Sequence, residues 1–104
     1  MISTEKQKRL IGLARRAGAV TYGAEGTADS IKKRKACLVV IANDISERTK
    51  KDILNISGNL PILNLDITKE ELGRIIGTKP TGILSVNDSN FKKGILEVVQ
   101  IDDN

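Results

Sequence analysis

The chain has 104 residues, with 17 Lys and Arg against 13 Asp and Glu for a formal charge of +4, a length that fits one small domain burying roughly 60–70% of its unfolded surface. It has no histidine, which removes the usual zinc ligand, the commonest general base and any Ser-His-Asp arrangement, and its single Cys37 excludes an internal disulfide or a cysteine-rich zinc site. Two aromatic residues, Tyr22 and Phe91, are too few for a module that grips a strand by stacking base after base.

No apolar run approaches the ~20 residues that cross a bilayer. The polar opening Met1-Ile2-Ser3-Thr4-Glu5-Lys6 lacks the pattern of a signal peptide, so a cytoplasmic protein without membrane contact is expected. Charge is divided unevenly: residues 1–51 hold twelve basic and five acidic side chains, net +7, and residues 52–104 hold five and eight, net −3. Such a field suits a negatively charged partner, nucleic acid first.

Thr4-Glu5-Lys6-Gln7 has capping-box spacing and Gly18 is a natural stop, so a first helix is predicted between them. Leu10, Leu13, Ala14 and Ala17 form its apolar stripe at i, i+3, i+4 and i+7. Lys8, Arg9, Arg15 and Arg16 project to the other side as a basic stripe, either solvated or in contact with phosphate. Ala19 to Tyr22 is a short strand. A second helix opens at Gly23-Ala24-Glu25-Gly26 and carries Thr27, Ala28 and Ile31 inward. Its free N–H groups attract phosphate, unless the two glycines serve only a tight turn. Lys32 to Lys35 close it and complement its dipole.

Ala36 to Ala42 is a seven-residue apolar run, β-branched at its centre. It is too short for a helix and reads as a strand buried on both faces, with Cys37 as a small core residue. Asn43 and Asp44 emerge at its carboxyl end, where ligands gather in open α/β sheets; they serve equally well as turn formers. Ser46 caps a third helix that carries Ile53 and Leu54 and ends near Gly58. Leu60 to Leu65 is a strand with Pro61 tolerated at its start. Thr68-Lys69-Glu70-Glu71 is a second capping box, opening a helix with Leu72, Ile75 and Ile76 inward and a stop at Gly77. Thr78-Lys79-Pro80 leads into a fourth strand, Thr81 to Val86. Asn87 to Asn90 cap a last helix with Phe91, Ile95, Val98 and Val99 inward, and Asp102-Asp103-Asn104 is expected to fray. Five helices alternate with four strands, which predicts a single domain over residues 1–104, a three-layer α/β/α sandwich with a four-stranded mixed sheet.

Ile11 to Gly18, Tyr22-Gly23, Leu38 to Asp44, Glu71 to Gly77 and Val86-Asn87-Asp88, in that order and spread over nearly the whole chain, resemble a family. It is that of the large-subunit ribosomal proteins seven-Ae and thirty-e, and the small bacterial YlxQ-like branch is most similar. The resemblance implies non-catalytic binding of structured RNA, typically kink-turns, by a ribosome-associated or other ribonucleoprotein component. No cofactor or metal is expected, and a monomer is expected. The resemblance places the RNA face on Gly23, Ala24, Glu25, Gly26 and Thr27, on Asn43 and Asp44, and on Thr78, Lys79 and Pro80. Arg15, Arg16, Lys32 and Lys33, with Lys8, are expected to attract phosphate. Kink-turn readers of the family carry Gly-x-Asn-Glu-x-x-Lys at this helix start. Here Glu25 stands in the asparagine slot, Gly26 in the glutamate slot and Asp29 in the lysine slot. The alternatives are a protein-interaction module and a receiver-like signalling domain using Asp44; catalysis is not expected, because no nucleophile sits with a base and an orienting group.

Overall fold

The computed structural model describes the backbone of residues 4–101 and the side chains of residues 5–97. The tail Asp102-Asp103-Asn104, the cap side chain of Thr4 and the side chains of Val98 and Val99 lie outside the described residues. Nine elements follow in the predicted order: α1 (Thr4–Arg16), β1 (Val20–Tyr22), α2 (Gly23–Lys32), β2 (Leu38–Ile41), α3 (Glu47–Ser57), β3 (Ile62–Asn64), α4 (Lys69–Ile76), β4 (Ile83–Val86) and α5 (Ser89–Ile101). The strands form one sheet in the order β1-β4-β2-β3. β4 is antiparallel to both β1 and β2, and β2 is parallel to β3. The mixed sheet excludes the receiver-like alternative, whose doubly wound sheet is parallel.

Alternation along the strands divides the core in two. Leu38, Val40 and Ala42 with Leu84 and Val86 face one side, where Ile11, Ala14, Leu72, Ile76 and Ile95 of α1, α4 and α5 cover them. Val39, Ile41 and Ile83 face the other, against Ile53 of α3 and Ala28 and Ile31 of α2. Every residue of β2 is buried, and each such Val, Leu or Ile contributes about 1.5–3 kcal/mol relative to exposure. Cys37 falls just before the strand and is half-buried, its N–H extending the ladder to the Val86 carbonyl at 2.8 Å.

The stripe of α1 differs from expectation by one position. Ile11 and Ala14 are fully buried, Leu10 packs at the core's edge, but Leu13 is 42% exposed and Ala17 is exposed. Gln7 takes the remaining inner position, which a polar residue occupies because its Nε2 donates to the Ile95 carbonyl at 3.4 Å. On α3 Ile53 is buried as predicted, whereas Leu54 is 45% exposed.

Both later caps form as read. Ser46 Oγ accepts the Thr49 N–H and Thr68 Oγ1 accepts the Glu71 N–H. Glu71 does not complete its box by reaching back; its Oε2 lies 2.6 Å from Lys8 Nζ, which also meets Glu5 at 3.2 Å. Lys8 therefore joins α1 to α4, and its ammonium is already matched by two carboxylates.

Gly73 is required by packing. A Cβ there would stand 2.3 Å from the Lys79 carbonyl oxygen and 2.8 Å from its carbon, because the segment before β4 folds back onto α4. Two hydrogen bonds hold it: Thr78 N–H to the Gly73 carbonyl at 2.8 Å and Thr81 N–H to the Lys69 carbonyl at 3.0 Å.

Gly73→Ala is expected to lower stability by about 1–3 kcal/mol through overpacking against backbone, read as a lower urea midpoint; an unchanged midpoint would place the segment elsewhere. Lys8→Met is expected to cost at most about 1 kcal/mol at neutral pH, as partly exposed ion pairs do. Hydrogen bonding to Glu71, then to Glu5, raises the Lys8 pKa above the ordinary 10.5. The contribution is thus complete below that ordinary value and lost as pH rises through the raised one. Urea melts of parent and variant should converge only at strongly alkaline pH, and a gap that closes below pH 10 would contradict the pairing.

Candidate functional site

Strand direction decides which loops meet. Because β4 runs against both of its neighbours, its first residues lie beside the last residues of β1 and β2: Tyr22 pairs with Leu84 and Ile41 with Ile83. β3 runs with β2, so its exit toward α4 arrives at the same edge. The start of α2, the turn after β2, the start of α4 and the segment before β4 are thereby gathered at one end of the sheet. Between them lies a cleft of about 270 Å³ lined by Gly23, Ala24, Ile45, Ser46, Thr49, Lys69, Pro80, Thr81, Gly82 and Ile83.

The α2 start follows directly on the last residue of β1. Tyr22 at the N-cap is extended (φ −127°, ψ 165°) and supplies no side-chain cap. Gly23 then takes φ +83°, which glycine adopts without the penalty of a Cβ. The first N–H groups of a helix have no partner within it, and the dipole adds partial positive charge. Ala24 and Glu25 are exposed; Glu25, in the first turn, partly offsets that charge and lines the adjoining groove between α2 and α3, which shares Ala24 and Thr49 with the cleft.

Two expected contact residues turn inward. A Cβ on Gly26 would meet the Thr21 methyl at 2.9 Å, so this glycine lets α2 approach β1. Thr27 is fully buried, and its Oγ1 has no hydrogen-bond partner. Neither offers a side chain to a ligand. Beside them lies a polar seam: Asn87 Oδ1 accepts from Ser30 Oγ at 2.7 Å and Ser85 Oγ at 3.0 Å, while its Nδ2 donates to Thr21 Oγ1 at 2.7 Å. These bonds fix α2 against β1 and β4, and with it the orientation of the helix start.

Asn43 and Asp44 act first as structural ties. Asn43 Nδ2 donates to Asp66 Oδ1 at 2.9 Å, and Asp44 Oδ1 accepts the Lys69 N–H at 2.7 Å. Both are exposed, but neither lines the cleft; their neighbours Ile45 and Ser46 do. Of the connector, Pro80 lines the cleft, Lys79 is exposed, and Thr78 Oγ1 donates to the Lys79 carbonyl at 2.9 Å.

The cations are distributed differently from expectation. Lys32 and Lys33 stand at the far end of the ten-residue α2, roughly 13 Å from its start at 1.5 Å per residue, and Lys33 pairs with Asp29 at 3.1 Å. Arg16 is exposed on a groove with Arg9, Leu13 and Ile75, on the α1 and α4 side. Arg15 does not line the cleft; it lies between the ends of α4 and β1, its Nε donating to the Ile76 carbonyl at 3.2 Å and its guanidinium 5.1 Å from the Tyr22 ring centre. Lys69 carries no signal of its own in the sequence, since only the tertiary meeting of β3 and β4 brings the start of α4 to the cleft.

Among the described residues no group of three or more Cys, Asp or Glu side chains is placed to hold a metal ion, and no helix is long and apolar enough to cross a membrane.

Comparison with known proteins gives a consistent result. Residues 5–96 match the Ribosomal protein L7Ae/L30e/S12e/Gadd45 family. The RNA-binding protein YlxQ of Enterococcus faecium is 36% identical over 97 residues, covering 92% of this chain and 93% of its own length. A solved structure from Bacillus halodurans, of a protein with unknown function, superposes with a TM-score of 0.83 at 27% identity, over 91% of this chain and 97% of that one. The Giardia lamblia 15.5kD RNA binding protein shares the fold, with a TM-score of 0.75 at 20% identity over 95% and 86% of the two chains. The chain belongs to the L7Ae/L30e/S12e/Gadd45 family of ribosomal proteins, in its YlxQ-like branch.

Proposed function

We propose that this protein binds structured RNA and performs no chemistry on it, seating the RNA backbone at the sheet edge where the α2 start meets the segment before β4. The observation that carries this reading is the cleft itself, where an uncapped helix start and Lys69 stand around one opening beside the exposed Lys79. Helix N–H groups and lysines are phosphate ligands, and such contacts set register on a nucleic acid. Membership of a ribosomal protein family and the name of the E. faecium relative support RNA as the ligand. A ribosomal or other non-coding RNA in the cytoplasm, bound by a monomer acting as one RNA-binding unit, fits this reading.

Recognition by backbone shape is favoured over the reading of sheared base pairs. In the three slots where kink-turn readers carry Asn, Glu and Lys, Glu25 lines the groove between α2 and α3, Gly26 packs on Thr21, and Asp29 is paired to Lys33. Within this reading Gly23, Ala24, Lys69, Lys79 and Pro80 form the contact, with Asn43 and Asp44 holding its rim. A protein partner is the second reading, favoured by Leu54 and Ile56, which are 45% and 37% exposed on α3.

The test is a salt series on a folded RNA hairpin. Affinity is expected to fall with salt, and Lys69→Ala combined with Lys79→Ala should flatten the log–log slope by about 0.7–0.9 for each phosphate that the protein no longer neutralises. Lys32→Ala with Lys33→Ala should leave it nearly unchanged. An affinity insensitive to salt, or one dependent on Lys32 and Lys33 alone, would contradict the reading.

A further inference from the structure

α1 and α4 pack against each other on the face of the sheet opposite α2 and α3. Lys8 joins Glu71 near their starts, and Arg15 Nε donates to the Ile76 carbonyl near their ends, so the walls of the groove between them are fixed. That groove has a volume of about 530 Å³ and shares no lining residue with the cleft at the sheet edge.

Its floor holds a glycine that the fold does not need. Gly12 lies in the interior of α1 with no left-handed φ, where alanine is the better helix former. A Cβ there would stand 3.5 Å from the Ile75 carbonyl oxygen and 3.8 Å from its γ2 methyl, ordinary contact distances, unlike the clashes at Gly26 and Gly73. What the missing Cβ leaves open is the groove, whose other apolar residues are Leu13, 42% exposed, and the half-buried Ile75.

The charges around that floor select an occupant. Lys8 is already matched by Glu5 and Glu71. Arg9 and Arg16 are exposed, and among the described residues neither is ion-paired. They stand roughly 10 Å apart along the helix, with Leu13 between them. Two guanidiniums flanking an apolar floor fit two carboxylates flanking an apolar side chain; a sugar–phosphate backbone has nothing to place on Leu13 and Ile75. A second α1 laid antiparallel across Gly12-Leu13 would set each Arg9 against an Arg16, like charge against like. Both walls are helices whose backbone groups are paired internally, so an extended segment finds no edge to join and a helix is the form that docks.

We propose that the groove between α1 and α4 docks an acidic amphipathic helix of a partner protein, which seats a leucine-sized side chain over Gly12 and sets one carboxylate on Arg9 and another on Arg16. On such a helix the carboxylates stand at i and i+7 and the apolar anchors at i+3 and i+4, all on one face. Docking there is independent of what the cleft binds, because the two linings are separate.

The test is the fluorescence anisotropy of a labelled, alanine-based helical peptide of roughly 16 residues that carries Glu-Ala-Ala-Leu-Leu-Ala-Ala-Glu, titrated with the 104-residue chain. A Kd below about 1 mM is expected, and a peptide with lysine in place of both glutamates should not bind. Gly12→Ala should raise the urea midpoint yet weaken the acidic peptide about tenfold, the effect of one methylene in an apolar pocket. Arg9→Glu combined with Arg16→Glu should lose the acidic peptide and gain the lysine one, a reversal that misfolding cannot produce. The proposal is overturned if the acidic peptide does not bind or binds no better than the lysine one, if Gly12→Ala lowers the midpoint or leaves the affinity unchanged, or if the charge-reversed variant keeps the original preference. An RNA hairpin that displaces the peptide would assign the groove to RNA, and a parent chain that sediments as a dimer broken by Gly12→Leu would assign it to a second copy; either result overturns it as well.

Discussion

The antiparallel pairing of β4 with both β1 and β2 is the constraint on which the rest depends. Every residue of β4 is buried, and the strand exchanges backbone hydrogen bonds with a partner on each side, so its direction cannot change without dismantling both cores. That direction brings the entry to β4 next to the exits from β1 and β2. A parallel β4 would send the Thr78–Gly82 segment to the opposite edge and leave the α2 start without its neighbours.

Around that frame, polar groups do the positioning. Asp44 binds the Lys69 N–H across the sheet end, and Asn87 joins β1, β4 and α2 through three side-chain hydroxyls. The Asn87 bonds are part-buried, and breaking one leaves a partly desolvated partner behind; the Asp44 bond is exposed. Together they hold the helix start at a fixed angle to the loops, and a site that binds by shape needs that rigidity more than it needs any one side chain. Gly26 and Gly73 serve the same end by letting neighbouring segments come closer than a Cβ allows.

Much of this is legible in the chain. Caps at Ser46 and Thr68 and the stop at Gly77 announce their helices through local chemistry, and the run from Leu38 to Ile41 announces a fully buried strand. The stripe of α1 lies one residue away from where its apolar spacing points, since Leu13 looks apolar in sequence but faces a groove, and Gln7 looks polar yet is buried against Ile95. Neither is decidable before α5 is placed. The three candidate segments named from sequence do meet at one end of the sheet, but the side chains differ: Thr27 turns inward, and Lys32 and Lys33 lie at the far end of α2. Lys69 enters because β3 runs parallel to β2. The basic excess of the first half says that an anionic partner is plausible by charge; where that partner sits depends on pairings that join residues more than sixty positions apart.

The most direct measurement is a map of backbone amide chemical shifts as a folded RNA hairpin is titrated into the labelled protein. The largest changes should fall on Gly23 to Glu25, Ile45-Ser46, Lys69 and Thr78 to Gly82, with α5 and the Lys32–Lys35 end of α2 nearly silent. Changes centred on Lys32 to Lys35, or on the outer face of α3 around Leu54 and Ile56, would show that the RNA sits elsewhere and would contradict the account.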